Sequence, residues 1–191
     1  EYLELICGLV RMFGTGLLRS RASLRVGDRE AGMGKEGWKL LRKFADRFWL
    51  HTVSEVTDLS ELAAAERYLD VIEVAAHRYS LLKEVGKLSK PVIVHRSAET
   101  TIEQTLMSAE CVLSGGNDKV IICDRAVRVP GSSGNTLDID SILALKRLSH
   151  LPVVVDASLL AGRRDREEAY ATAAVAVGVD AVMIAVHPEP L

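Results

Sequence analysis

Short apolar runs alternate with amphipathic stretches along this chain, and that alternation constrains its fold more than any other feature. Val71-Ile72-Glu73-Val74-Ala75 and Pro152-Val153-Val154-Val155-Asp156 are two of these runs, β-rich and almost continuously apolar. A strand with one wet face alternates apolar and polar residues; one apolar nearly throughout is buried on both faces, as in a parallel sheet covered by helices. Strands are predicted over 11–15, 51–56, 71–75, 91–95, 119–123, 152–156 and 181–186. Helices are predicted over 2–10, 34–49, 59–69, 81–88, 101–114, 138–149 and 166–177. Gly115-Gly116-Asn117 and Gly178 act as helix stops. Residues 16–31 read as a polar, Arg-rich irregular segment, and 125–135 as a long polar loop.

Strict β/α order at this unit length indicates an α/β chain with a TIM (β/α)8-type barrel, a single domain over 1–191. Seven strands are visible where a closed barrel has eight, so strand 1 and the last helix are expected to be lacking from this chain. A seven-strand open α/β sheet is the alternative. No Gly-x-Gly-x-x-Gly follows any strand, so a dinucleotide-binding reading has no support.

The net charge of −2 gives no nucleic-acid signal, and no apolar run approaches a membrane span. Three cysteines, Cys7, Cys111 and Cys123, match no zinc or redox spacing, and an odd number argues against a disulfide framework. The expected setting is reducing and cytoplasmic. The chain opens at Glu1 in a helix-like pattern with no visible signal peptide, so its natural N-terminus can lie further upstream.

Several segments are more specific than barrel sequence in general. They are Gly34 to Leu41, Ser54-Glu55-Val56-Thr57-Asp58, Leu81 to Lys87, Asn135-Thr136-Leu137-Asp138-Ile139, Leu151 through Asp165, and Val186-His187-Pro188. Together they resemble the short type of 3-deoxy-7-phosphoheptulonate (DAHP) synthase and its relative 3-deoxy-manno-octulosonate 8-phosphate (KDO8P) synthase. The resemblance implies condensation of phosphoenolpyruvate with an aldose phosphate, usually with a divalent metal. In such proteins a histidine follows Asp-Pro-Ser and binds the metal; here Asp156-Ala157-Ser158 is followed by Leu159. A glutamate ligand in Val-Glu-Val-His-Pro is replaced by Ala185. The other two ligands of the family fall outside the aligned chain. Neither an isobutyl nor a methyl group can donate a lone pair to a cation, so no metal and no other cofactor is expected.

The anion clamp is also altered. By the resemblance, Arg19 stands for a lysine, Arg21 for the arginine that holds the sugar phosphate, His77 for a phosphoenolpyruvate-binding arginine and His95 for a lysine, while Arg96 and Arg125 are kept. Two cations have thus become histidines at C-terminal strand ends, where barrel enzymes place their chemistry. Histidine titrates near neutrality and serves as a general acid or base. His95 and His77 are therefore the catalytic candidates, with Glu55 and Asp156 as carboxylates able to orient an imidazole. Glu73 and Asp124 lie near the same rim. Arg19, Arg21, Arg96, Arg125, Arg128 and Ser158 are the substrate-binding candidates. His187, His51 and His150 read as structural.

The expected function is a diverged, metal-independent barrel enzyme. It would act on a small anionic metabolite bearing a carbonyl or carboxylate, by aldol, cyclisation or dehydration chemistry. The alternatives are an inactive homologue that regulates or scaffolds a pathway enzyme, and an authentic DAHP synthase. A homo-oligomer or a complex with a pathway enzyme is expected, and no nucleic acid or membrane partner.

Overall fold

The computed structural model describes residues 2–20, 25–26, 29–30, 33–97, 100–125, 127–128, 135–162 and 164–187. Its centre is one seven-stranded parallel sheet: β1 Leu17–Ser20, β2 His51–Glu55, β3 Val71–Ala75, β4 Val92–Arg96, β5 Val120–Asp124, β6 Val153–Asp156 and β7 Ala181–Met183. The strands lie side by side in sequence order, every neighbouring pair parallel. An open doubly wound sheet reverses its order at a switch point; this one steps one way throughout, as the staves of a barrel do.

Helices fill each crossover: α1 Tyr2–Met12 precedes β1, and α2 Gly34–Phe48, α3 Leu62–Tyr68, α4 Tyr79–Val85, α5 Ile102–Ser114 and α6 Ile139–Leu148 follow in turn. The short α7 Ala157–Ala161 and then α8 Arg164–Val177 join β6 to β7. Among the described residues no helix is long and apolar enough to cross a membrane.

The sheet has two buried faces, which explains its continuous apolar strands. Ile72, Val74, Val92, Val94, Ile122, Val153 and Val155 pack outward against Trp38, Leu82, Val112, Ile142 and Leu145 of the helices. Val53, Val71, Ile93 and Cys123 form a separate inner cluster with Ile121 and Met183. The period of two along each strand sends alternate residues to the two clusters.

Three sequence expectations need correction. The first strand is not at 11–15: α1 runs on to Met12, Gly14 turns the chain at φ 75°, and β1 begins at Leu17. The pairing is set by the His51 N–H donating to the Gly16 carbonyl, so the Arg-rich segment read as irregular holds the first strand of the sheet. The last strand ends at Met183, where its pairing with β6 stops at Asp156. The loop after β5 is not wholly irregular, since Val127–Arg128 pairs antiparallel with Asn135–Thr136.

Helices α4 and α5 approach through two glycines. A Cβ on Gly115 would lie 2.7 Å from the Gly86 carbonyl carbon and 2.8 Å from its Cα, both backbone atoms that cannot swing aside. Gly115→Ala is expected to cost about 1–3 kcal/mol by overpacking, read as a lower urea midpoint at unchanged slope.

Candidate functional site

At the C-terminal end of the strands the inner face turns from apolar to charged. The alternation that puts Val53, Val71 and Ile93 inside also puts Glu55, Glu73 and His95 there, each two residues further along its strand. Arg19 of β1, Asp156 of β6 and Arg125, just past β5, complete the group.

Glu73 is its hub and is fully buried. The Arg19 guanidinium donates to both its oxygens, at 2.6 and 3.2 Å, and reaches Asp156 at 3.6 Å. Arg125 donates to Glu73 from one nitrogen and to Glu55 at 3.3 Å from another. Glu55 and Glu73 are register partners on adjacent strands, and Arg125 offsets the repulsion between them. Burial works against the charge of Arg19, yet the Glu73 carboxylate more than offsets this and holds its pKa above the usual value.

His95 sits between the two carboxylates. Its Nε2 lies 3.5 Å from Glu55 Oε1, its Nδ1 3.5 Å from Glu73 Oε1, and 5 % of the residue is exposed. A neutral imidazole has one N–H to offer them and an imidazolium two, so this setting can accept a proton or pass one on. Cys123 shares the inner face, but burial, with Glu73 next, pushes its thiol pKa strongly up; it stays protonated and is no nucleophile.

The structure thus brings together His95, Glu55, Asp156, Arg19 and Arg125 of the residues singled out in the sequence. It places others elsewhere. His77 is exposed in the turn after β3 and makes no ion pair among the described residues. Arg96 alternates to the helix side of the sheet, 3.1 Å from Asp124 and 3.3 Å from Asp138, the N-cap of α6. The Ser158 hydroxyl of α7 is engaged by Glu167 and by the Ala185 N–H at 2.5 Å. Arg21 and the Arg128 side chain lie outside the described residues. Glu73, in the sequence only a residue near the rim, is the centre of the layer; its signal is a carboxylate interrupting Val-Ile-x-Val-Ala, which burial requires to have a specific partner.

The Ala185 N–H donates to the hydroxyl of Ser158, which precedes Leu159, so the chain segments carrying the two positions lie side by side. Neither side chain can bind a cation, and among the described residues no three His, Cys, Asp or Glu side chains stand together in a way that could hold a metal ion. At these two positions the chain supplies no donor for a divalent metal.

Outside this layer, three aspartates are held below the ordinary carboxylate range. Burial raises Asp70, but the Thr52 N–H and Arg42 outweigh it; burial raises Asp138, but Ser141 and Arg96 outweigh it; Asp180 is lowered by the Val153 N–H and Lys146. At acid pH the unfolded chain binds more protons at these sites than the folded one. The stability they add is present above the unfolded value near 4 and is lost as pH falls through the folded values. The urea midpoint is expected to hold steady above about pH 5 and fall below about pH 4, less steeply in Asp70→Asn.

Residues 30–191 match the family model described as DAHP synthetase I. A curated phospho-2-dehydro-3-deoxyheptonate aldolase of Thermotoga maritima is 37 % identical over 163 residues, covering 83 % of this chain and 48 % of that protein. A 2-dehydro-3-deoxyphosphooctonate aldolase of Geobacter sulfurreducens is 28 % identical, covering 82 % of this chain and 62 % of that protein. The crystal structure of the Thermotoga maritima DAHP synthase superposes with a TM-score of 0.92 at 34 % identity, over 97 % of this chain and 56 % of that one. The chain therefore spans about half to three fifths of the length of these proteins.

Proposed function

Because the chain belongs to the DAHP synthetase I family, we propose that it is an aldolase-type barrel enzyme that works without a divalent metal, moving protons through His95 on a small anionic metabolite bearing a carbonyl. The observation that carries this reading is the imidazole held between Glu55 and Glu73, almost out of solvent, at the strand ends where barrels do their chemistry. The metal-free part is supported by Leu159 and Ala185, which leave the inherited ligand positions without donors. His95 takes a proton from the carbon beside the carbonyl and either returns it to that carbon or, after the enolate has attacked a second carbonyl, gives it to the alkoxide oxygen so formed. Arg21 and Arg128 supply cationic contacts for the anionic group. Enolisation is the step shared by aldol, cyclisation and dehydration outcomes.

The test is solvent deuterium exchange into a panel of keto sugar phosphates and of keto acids whose carboxylate stands two or more carbons from the carbonyl, followed by proton NMR with and without EDTA. Exchange that persists in EDTA is expected. Loss in EDTA with recovery on manganese would overturn the metal-free reading. Formation of the heptulosonate phosphate from phosphoenolpyruvate and erythrose 4-phosphate would assign the relative's reaction to this chain.

A second reading, a non-catalytic partner of a pathway enzyme, is favoured by Met12, Phe13 and Trp49, large apolar side chains that are 77, 80 and 82 % exposed. Native mass measurement separates the two: a stable monomer that co-purifies with nothing removes it.

A further inference from the structure

The barrel mouth carries its own anion. Arg19 and Arg125 are the two arginines of the inner layer among the described residues, and both pair with Glu73, while Arg19 also lies 3.6 Å from Asp156 and Arg125 3.3 Å from Glu55. Glu73 is fully buried, receives a two-pronged contact from Arg19 at 2.6 and 3.2 Å, and takes Arg125 as well. Two guanidinium groups converging on a flat three-atom acceptor make the geometry that otherwise recognises a carboxylate or phosphate ligand. Here the ligand is part of strand β3. A dissolved anion would have to displace a tethered carboxylate that has no translational freedom to lose, and would strand that carboxylate in a buried site.

We propose that Glu73 is a specificity-determining residue: it occupies the Arg19–Arg125 pair as a built-in counter-anion, so the part of a ligand that reaches the inner layer must be uncharged. A carbonyl or hydroxyl carbon fits against His95 there; a phosphate or carboxylate does not. The ligand's anionic group is confined to the outer rim. This rests on the reading of the inner layer as the reaction chamber, but its test needs no turnover, so the two can fail separately.

The test uses the Nε–Hε NMR signals of Arg19 and Arg125 during titration with inorganic phosphate. In the wild-type chain the two signals are expected to stay in place while phosphate is raised to millimolar levels. In Glu73→Gln, which keeps the size but removes the charge and one of the two acceptor oxygens, both are expected to move saturably, with phosphate affinity at least about tenfold above wild type. The gain is expected to vanish when Arg19→Gln is added to Glu73→Gln. Saturable movement of the two wild-type signals overturns the proposal, as does a folded Glu73→Gln with no gain. Should Glu73→Gln fail to fold, the wild-type titration alone decides, because the proposal forbids phosphate at this pair in the native protein.

Discussion

Replacing His95 by glutamine is expected to slow proton exchange at the carbon beside a bound carbonyl by about a hundredfold or more, with the circular dichroism spectrum unchanged. Glutamine is close in length and can still donate and accept hydrogen bonds, but it cannot carry a proton between solvent and substrate near neutral pH. The fold is expected to survive because Arg125 still bridges Glu55 and Glu73 when the imidazole is gone. The measurement is the initial exchange rate at saturating ligand, so a binding defect does not pass for a chemical one. A loss of less than threefold would remove His95 from the chemistry. An equal loss in His77→Gln would instead move the proton transfer to the exposed turn after β3.

The largest expected stability effect is at Trp38. The side chain is fully buried, and its indole N–H donates to the Ser54 hydroxyl at 2.8 Å, which in turn donates to the Ser20 carbonyl at 2.9 Å. One residue of α2 thus packs in the outer core and reaches β1 through β2. Trp38→Ala removes the largest side chain in that core and is expected to cost about 3–5 kcal/mol, against about 5–15 kcal/mol for a whole domain. Urea unfolding followed by circular dichroism reads the loss. Trp49→Phe is the companion: this side chain is 82 % exposed, and the change is expected to stay within about 0.5 kcal/mol. Equal losses at the two tryptophans would mean that the packing around Trp38 carries little of the fold.

The barrel-type architecture was legible in residues 51–56, 71–75, 91–95, 119–123 and 152–156, whose apolar runs each became a strand within a residue or two. The first strand was misplaced because Arg11 to Thr15 is short and mixed, while Leu17-Leu18-Arg19-Ser20 is recognisable as a strand only once it pairs with His51 to Ser54. The basic residues around it looked like a solvated loop. One of them, Arg19, is instead an inner-layer side chain, held there by Glu73, 54 positions away.

The candidate site divides in the same way. The sequence by itself determined which groups the barrel mouth has at its disposal, His77 and His95 among them, and placed donor-free side chains at Leu159 and Ala185. It also determined, through its strand period, the fold that carries them. Which groups meet was decided only by the tertiary structure. It gathered Arg19, Glu55, Glu73, His95, Arg125 and Asp156 on one inner face, left His77 in solvent, and turned Arg96 to the helix side beside Asp124 and Asp138. The physical reason is that a strand's face is a local property, fixed by a period of two, whereas an ion pair across the sheet depends on register and on curvature. Register brought two carboxylates side by side at Glu55 and Glu73, and two arginines from elsewhere in the chain offset their repulsion. No single strand contains that arrangement, so it becomes visible only when the staves are set in order.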